Sequence, residues 1–217
     1  EQEEALYKVL KETIIASQNI RFEGDGYSDE WKDEAARRGL TNICHVPEAI
    51  MKFNDPQSRS VLIGEKIFNE NELNCRIEVE LEKFTKKVQI ESRVLGDLAI
   101  NHIVPTAVIY QNRLLENLRG LKEIFSTEEY EEMTADRKDL VREIQRRILS
   151  IKKAVHDMTE ARKVANHLGS QVEKAFSYEE KVRPYLEEIR EHIDSLELEI
   201  DDEIWPLPKY RELLFTK

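Results

Sequence analysis

Residues 141–158 read Val-Arg-Glu-Ile-Gln-Arg-Arg-Ile-Leu-Ser-Ile-Lys-Lys-Ala-Val-His-Asp-Met, and their spacing decides the fold. Val141, Ile144, Ile148, Ile151, Val155 and Met158 alternate steps of three and four. That is the period of a single stripe on an α-helix. Arg162 and Ala165 continue the positions, and Gly169 closes them. The flanks are charged: Arg142, Glu143, Arg146, Arg147, Lys152 and Lys153. From Leu140 to Leu168 the stretch makes a rod of about 43 Å. Such a rod cannot bury its stripe alone. It needs antiparallel partners packed at a shallow angle: the helix after Gly169, the helix before Ser126, or both.

Both neighbours are legible. Val182, Leu186, Ile189, Ile193, Leu196 and Ile200 repeat the seam downstream. Upstream, Ser126-Thr127-Glu128-Glu129 is a capping box. Before it, Leu73, Ile77, Leu81, Phe84, Val88, Leu95 and Leu98 step at helical spacing. The stripe resumes past Pro105 as Ala107, Tyr110, Leu114, Leu118, Leu121 and Phe125. The reading is one very long helix kinked near Pro105, where the ring removes a backbone donor and clashes one turn back.

Shorter elements come first. Leu6, Val9, Leu10, Thr13 and Ile14 share one face of a helix over residues 3–18. Ile20-Arg21-Phe22 reads as extended, and Gly24-Asp25-Gly26 breaks it. Ser28 caps a helix from Asp29 to Arg38, with Gly39 just past its end. Pro47 opens a helix over Glu48–Phe53, and Ser58–Phe68 makes another. The fold class is all-α: long antiparallel helices in a bundle or coiled-coil-like hairpin, preceded by short helices.

Composition agrees. The 217 residues carry 35% charged side chains but only 7 Gly and 6 Pro, too few turn formers for a many-stranded β fold. The net charge of −11 argues against a phosphate-backbone binder and against a basic membrane anchor. No apolar run is long enough to span a bilayer. Glu1 is not an initiator Met, so the chain is expected to be cut from something longer. Cys44 and Cys75 make neither a disulfide framework nor a zinc site, and read as reduced thiols in a cytoplasmic protein.

Chemistry is sparse. None of His45, His102, His156, His167 and His192 sits in a two-ligand helical motif. Gly24-Asp25-Gly26 lacks both the phosphate-loop and the calcium-loop patterns. One region stands out: Glu91, Arg93, Asp97, Asn101, His102, Gln111, Asn112 and Arg113 gather around Pro105, several beside the apolar stripe. Polar groups there need partners, because an unsatisfied one costs about 1–3 kcal/mol. The reading is a polar network of Glu91, Asp97, Asn101, His102, Gln111 and Asn112 stitching the kink to its neighbours, with a functional polar pocket as the alternative. At the other end, Trp205, Leu207, Tyr210, Leu213, Leu214 and Phe215 are too apolar for a free tail. Pro206 and Pro208 stiffen the path. Trp205, Leu207, Tyr210, Leu214 and Phe215 are therefore expected to anchor the segment, on the long helices or on a missing neighbour.

Six blocks in order carry a family resemblance. They are Arg21-Phe22-Glu23-Gly24-Asp25-Gly26-Tyr27-Ser28-Asp29-Glu30-Trp31, Glu78-Val79-Glu80-Leu81-Glu82-Lys83-Phe84, and Arg93-Val94-Leu95-Gly96-Asp97 with Asn101-His102 and Pro105-Thr106-Ala107. Tyr110-Gln111-Asn112, Arg119-Gly120-Leu121-Lys122-Glu123-Ile124-Phe125 and Trp205 through Phe215 complete them. Together they resemble the C-terminal region of bacterial, ring-forming type III glutamine synthetases. The resemblance implies a parent that joins glutamate and ammonia using ATP and Mg or Mn. It also implies dodecamers, with the catalytic domain of the same chain and oligomer neighbours as partners. The family's metal-binding glutamates and phosphate-contacting arginines lie upstream of this segment. No catalytic, cofactor or metal residue is therefore assigned here, and this segment alone is expected to be inactive. On that reading residues 1–30 end the catalytic domain, 31–70 connect, 71–203 form the long-helix bundle and 204–217 dock. The alternative is a stand-alone coiled-coil scaffold.

Overall fold

The computed structural model describes residues 2–215 of the chain, apart from the side chains of Tyr210 and Arg211. Every element among the described residues is helical. They fall into two compact units, residues 1–44 and 45–217.

The first unit holds α1 (Gln2–Ala16), a single 3-10 turn (Gln18–Ile20) and α2 (Asp29–Arg37). Ser28 Oγ accepts the Trp31 amide at 3.3 Å, and Gly39 takes φ +70 just past the helix, as the cap pattern requires. Arg38 donates to the carbonyls of Asn19 and Arg21 at 2.9 and 2.7 Å, and the Phe22 and Trp31 rings sit 5.0 Å apart. Glu34 grips Arg37 and Arg38, and those guanidinium hydrogen bonds hold its carboxyl down at about 2. None of α1's residues is buried.

The second unit opens with α3 (Val46–Met51) and α4 (Pro56–Gly64). The helix read to Phe68 stops at Gly64. Lys66 takes the left-handed conformation at φ 56, so that the amides of Ile67 and Phe68 fold back onto the Leu62 carbonyl. A lysine in that role is costly and leaves no sequence signal. Ile50, Met51, Leu62, Ile63 and Phe68 pack on Leu73, Ile77 and Leu81.

The long helix begins at an unread cap. Asn69 and Glu72 exchange side-chain and backbone hydrogen bonds at 2.8 and 2.9 Å, a full capping box. From there α5 (Glu70–Leu98) and α6 (Val104–Ile124) are joined by a π-turn, Ala99–Ile103, into a helix of 55 residues. The wide turn sits directly ahead of Pro105, where an ordinary turn would clash with the ring. The same device recurs between α8 (Gln171–Ser177) and α9 (Arg183–Glu199), where a π-turn at Tyr178–Val182 precedes Pro184. The last long helix therefore starts at Gln171, just past Gly169.

Between them runs α7 (Thr127–Asn166), 40 residues opened by the Ser126–Glu129 capping box. It packs against both α6 and α9. Ile144, Ile148, Ile151 and Met158 are buried, as the stripe demands, and face Ile189, Ile193 and Leu196 in one core. Two partners widen the buried arc beyond one seam. Ala154 is buried in it while Val141 and Val155 are half-covered, and Arg147, read as a flank, keeps only 16% of its side chain exposed.

Candidate functional site

The residues around Pro105 spread along one helix instead of converging. Glu91, Asp97, Asn101, His102 and Asn112 are all exposed. Asn101 donates to Asp97 Oδ1 at 2.6 Å within its own helix. Glu91 lies 3.9 Å from Lys87, also along the helix. Gln111 alone of the six reaches across, donating to the Val141 carbonyl at 3.1 Å and to Gln145 at 3.4 Å on α7. Arg113 pairs with Asp201 at 3.2 Å and so ties α6 to the segment after α9.

The inter-helix polar contacts lie elsewhere. Tyr178 is fully buried, and its hydroxyl donates to Asn166 at 2.8 Å. Gln89 reaches the same Asn166 oxygen at 3.4 Å, and Arg162 reaches Ser92 at 3.5 Å. Burial pushes the Tyr178 phenol above its ordinary range. Each of these groups looks unremarkable in the sequence, because the pairs join α5 to α7 and α7 to the second π-turn. Nearby, Glu179 accepts from Arg183 at 2.8 Å and meets His45 Nδ1 at 2.9 Å.

Where α7 and α9 meet near the tail, the buried Arg147 Nε, His192 Nδ1 and Glu199 Oε2 have no hydrogen-bond partner among the described residues. Arg147 pairs with Glu143 at 2.7 Å. Burial raises the Glu199 carboxyl above its ordinary value; the Arg147 charge opposes this and Glu143 adds to it. A carboxyl raised by folding holds its proton more tightly in the native state. Its favourable contribution is complete below the unfolded pKa and is lost as pH rises through the raised value. At neutral pH the ionised group is thus a net cost, so Glu199→Gln is expected to raise the melting temperature by about 1–3 °C. Calorimetry at about pH 4, where unfolded carboxyls begin to protonate, should show the gain fading.

The terminal anchor divides in two. Trp205 is 8% exposed and belongs to the main core, with Ile204 and Leu207 packed beside it. Lys209 then closes the end of α9. Its ammonium donates to the Glu197 carbonyl at 2.6 Å and the Ile200 carbonyl at 3.4 Å, pairs with Asp202, and lies 5.9 Å from the Trp205 ring centre. A cation there satisfies carbonyls that the helix leaves open. Beyond it Leu213, Leu214 and Phe215 stand exposed, Phe215 by 77%. The side chain of Tyr210, also assigned to the anchor, lies outside the described residues.

No group of three or more His, Cys, Asp or Glu among the described residues is arranged to hold a metal ion. Cys44 and Cys75 are free and exposed. No helix among the described residues is long and apolar enough to cross a membrane.

Comparison with known proteins follows the same lines. The profile of the glutamine synthetase C-terminal domain matches residues 5–122. The chain is 76% identical over 216 residues to a glutamine synthetase of Bacteroides fragilis (strain YCH46), covering 100% of this chain and 30% of that protein. It is 27% identical over 223 residues to the type-3 glutamine synthetase of Dictyostelium discoideum, covering 98% of this chain and 29% of that protein. A glutamine synthetase of Butyrivibrio fibrisolvens is 28% identical over 216 residues, with 100% and 30% covered. The chain thus spans about three tenths of the length of the curated relatives it matches. The chain therefore belongs to the glutamine synthetase C-terminal domain family.

Proposed function

We propose that this chain is the C-terminal helical part of a type III glutamine synthetase and serves packing and assembly of the whole enzyme. The parent would join glutamate and ammonia at the expense of ATP, with Mg or Mn as the metal. Both would be bound by residues upstream of this segment. Its partners would be the catalytic domain of the same chain and neighbouring subunits in a dodecamer, in the cytoplasm. On the same reading residues 1–30 complete the catalytic domain, 31–70 connect it to the bundle at 71–203, and 204–217 dock.

One observation carries the packing role. Leu6, Leu10 and Ile14 line one face of α1 at helical spacing, all three more than half exposed, and nothing in α1 is buried. An apolar stripe of that length on an otherwise charged helix is a surface built to be covered. The relatives supply more than twice this chain's length of further protein to cover it. In the complete enzyme, Leu6→Glu with Leu10→Glu is expected to reduce glutamine formation at least tenfold and to shift the particle to smaller species by light scattering. An intermolecular or interdomain apolar contact carrying about 2–3 kcal/mol gives a change of that size. The 217-residue chain carrying the same pair should melt as wild type. Unchanged assembly and activity in the complete enzyme would refute the packing role.

A further inference from the structure

Glu179 sits in the π-turn between α8 and α9 with 5% of its side chain exposed. Arg183, one turn on, donates to both of its oxygens at 2.8 and 3.1 Å, so that pair is held by the helix itself. The third member comes from 134 residues away: His45 Nδ1 is 2.9 Å from Glu179 Oε1. His45 is the residue just before α3, and its carbonyl accepts the Ala49 amide at 3.0 Å, the first hydrogen bond of that helix. The imidazole is 62% exposed, so it exchanges protons with water while its partner carboxylate is shielded. α3 is also held by its buried Pro47 and by apolar packing of Ile50 and Met51.

Charged groups surround the pair: Glu180 and Lys181 share its π-turn, α8 carries Glu173 and Lys174, and Lys52 just past α3 pairs with Asp55. Glu48 lies on α3 itself. From α5, Glu80, Lys83, Lys87 and Glu91 line a groove shared with Val46 and Arg183. Lys83 is neutralised by Glu80 at 2.7 Å, and Lys87 lies 3.9 Å from Glu91. The neighbourhood is therefore balanced, and Arg183 already compensates Glu179. The remaining variable is the proton on His45. With it, Nδ1 donates a charge-assisted hydrogen bond to a carboxylate, roughly twice as strong as a neutral one. Without it, the ring must spend its single proton on Nδ1 or face the carboxylate with a lone pair.

We propose that His45 and Glu179 form a proton-controlled latch that clasps the start of α3 to the second π-turn. It is tight when His45 is protonated and loosened when His45 is neutral. The latch stands on this unit's own geometry and is independent of the function proposed above.

Amide hydrogen exchange on the 217-residue chain tests it, with protection factors corrected for intrinsic exchange at about pH 6 and about pH 8. Protection at Ala49, Ile50 and Met51 is expected to fall severalfold at the higher pH, while Ile148 in α7 stays constant. His45→Gln keeps a donor but cannot titrate, and should give no pH difference at α3. A wild-type chain with equal protection at both pH values overturns the latch. So does a fall shared equally by α3 and Ile148, or a His45→Gln chain that keeps the wild-type fall.

Discussion

Ile148→Asp is expected to cost the chain more than about 3 kcal/mol, the range for an uncompensated charge forced into a core. Ile148 is 5% exposed at the centre of α7, with Ile144 and Ile151 a turn away on the same face. Since α6 and α9 both close on that helix, the carboxylate has no short route to water. Leu149→Asp is the matched control. It makes the same chemical change one residue along, at a side chain 60% exposed, and should cost less than about 1 kcal/mol. Urea unfolding of the two variants decides the register. Similar losses would mean that the α7 stripe has been assigned to the wrong face. Arg147 does not serve as the control, because its guanidinium is itself largely enclosed.

Truncation of the tail should produce the other large effect, and a sharply placed one. Removing residues 204–217 takes away Trp205, Leu207 and the Lys209 cap together. Loss of a buried Trp alone costs about 3–5 kcal/mol. Removing residues 210–217 takes only the part whose described apolar side chains are exposed, and should leave the melting temperature of the chain nearly unchanged. Lys209→Met should fall between: the stem still packs, but the Glu197 and Ile200 carbonyls lose their donor. If both truncations destabilise equally, the dock extends beyond Lys209. If neither does, the Trp205 contact contributes nothing to folding.

The bundle was legible because helical periodicity is a local signal. Val182 through Ile200 and the α7 seam lie where their spacing puts them, and Ser28 and Ser126 cap as their neighbours require. Trp205, outside any helix, carries no such period; its ring lies in the main core beside two prolines. What escaped detection depends on pairs distant in the chain. Nothing local marks His45 as the partner of Glu179, or Lys209 as the cap of a helix that ended ten residues earlier. The residues near Pro105 misdirect for a related reason. Polar letters beside an apolar stripe lie one or two positions off the buried face, and a shift of one residue turns a side chain by about 100°. Gln111 turns inward, while Asn112 beside it stays in solvent.

That same rotation gives the first π-turn a consequence for how the long helix tolerates change. The turn holds one residue more than an ordinary one, which keeps Ala99, Ile103 and Ala107 on a common meridian across the proline. It is in effect a phase corrector: the 21 residues of α6 inherit their angular setting from it. Side-chain exchanges on its outer surface, at Asn101 or His102, leave that setting alone. Loss of a single residue between Ala99 and Ile103 would leave an ordinary turn, in which the Pro105 ring clashes with the carbonyl one turn back. The segment should therefore accept many spellings and only one length.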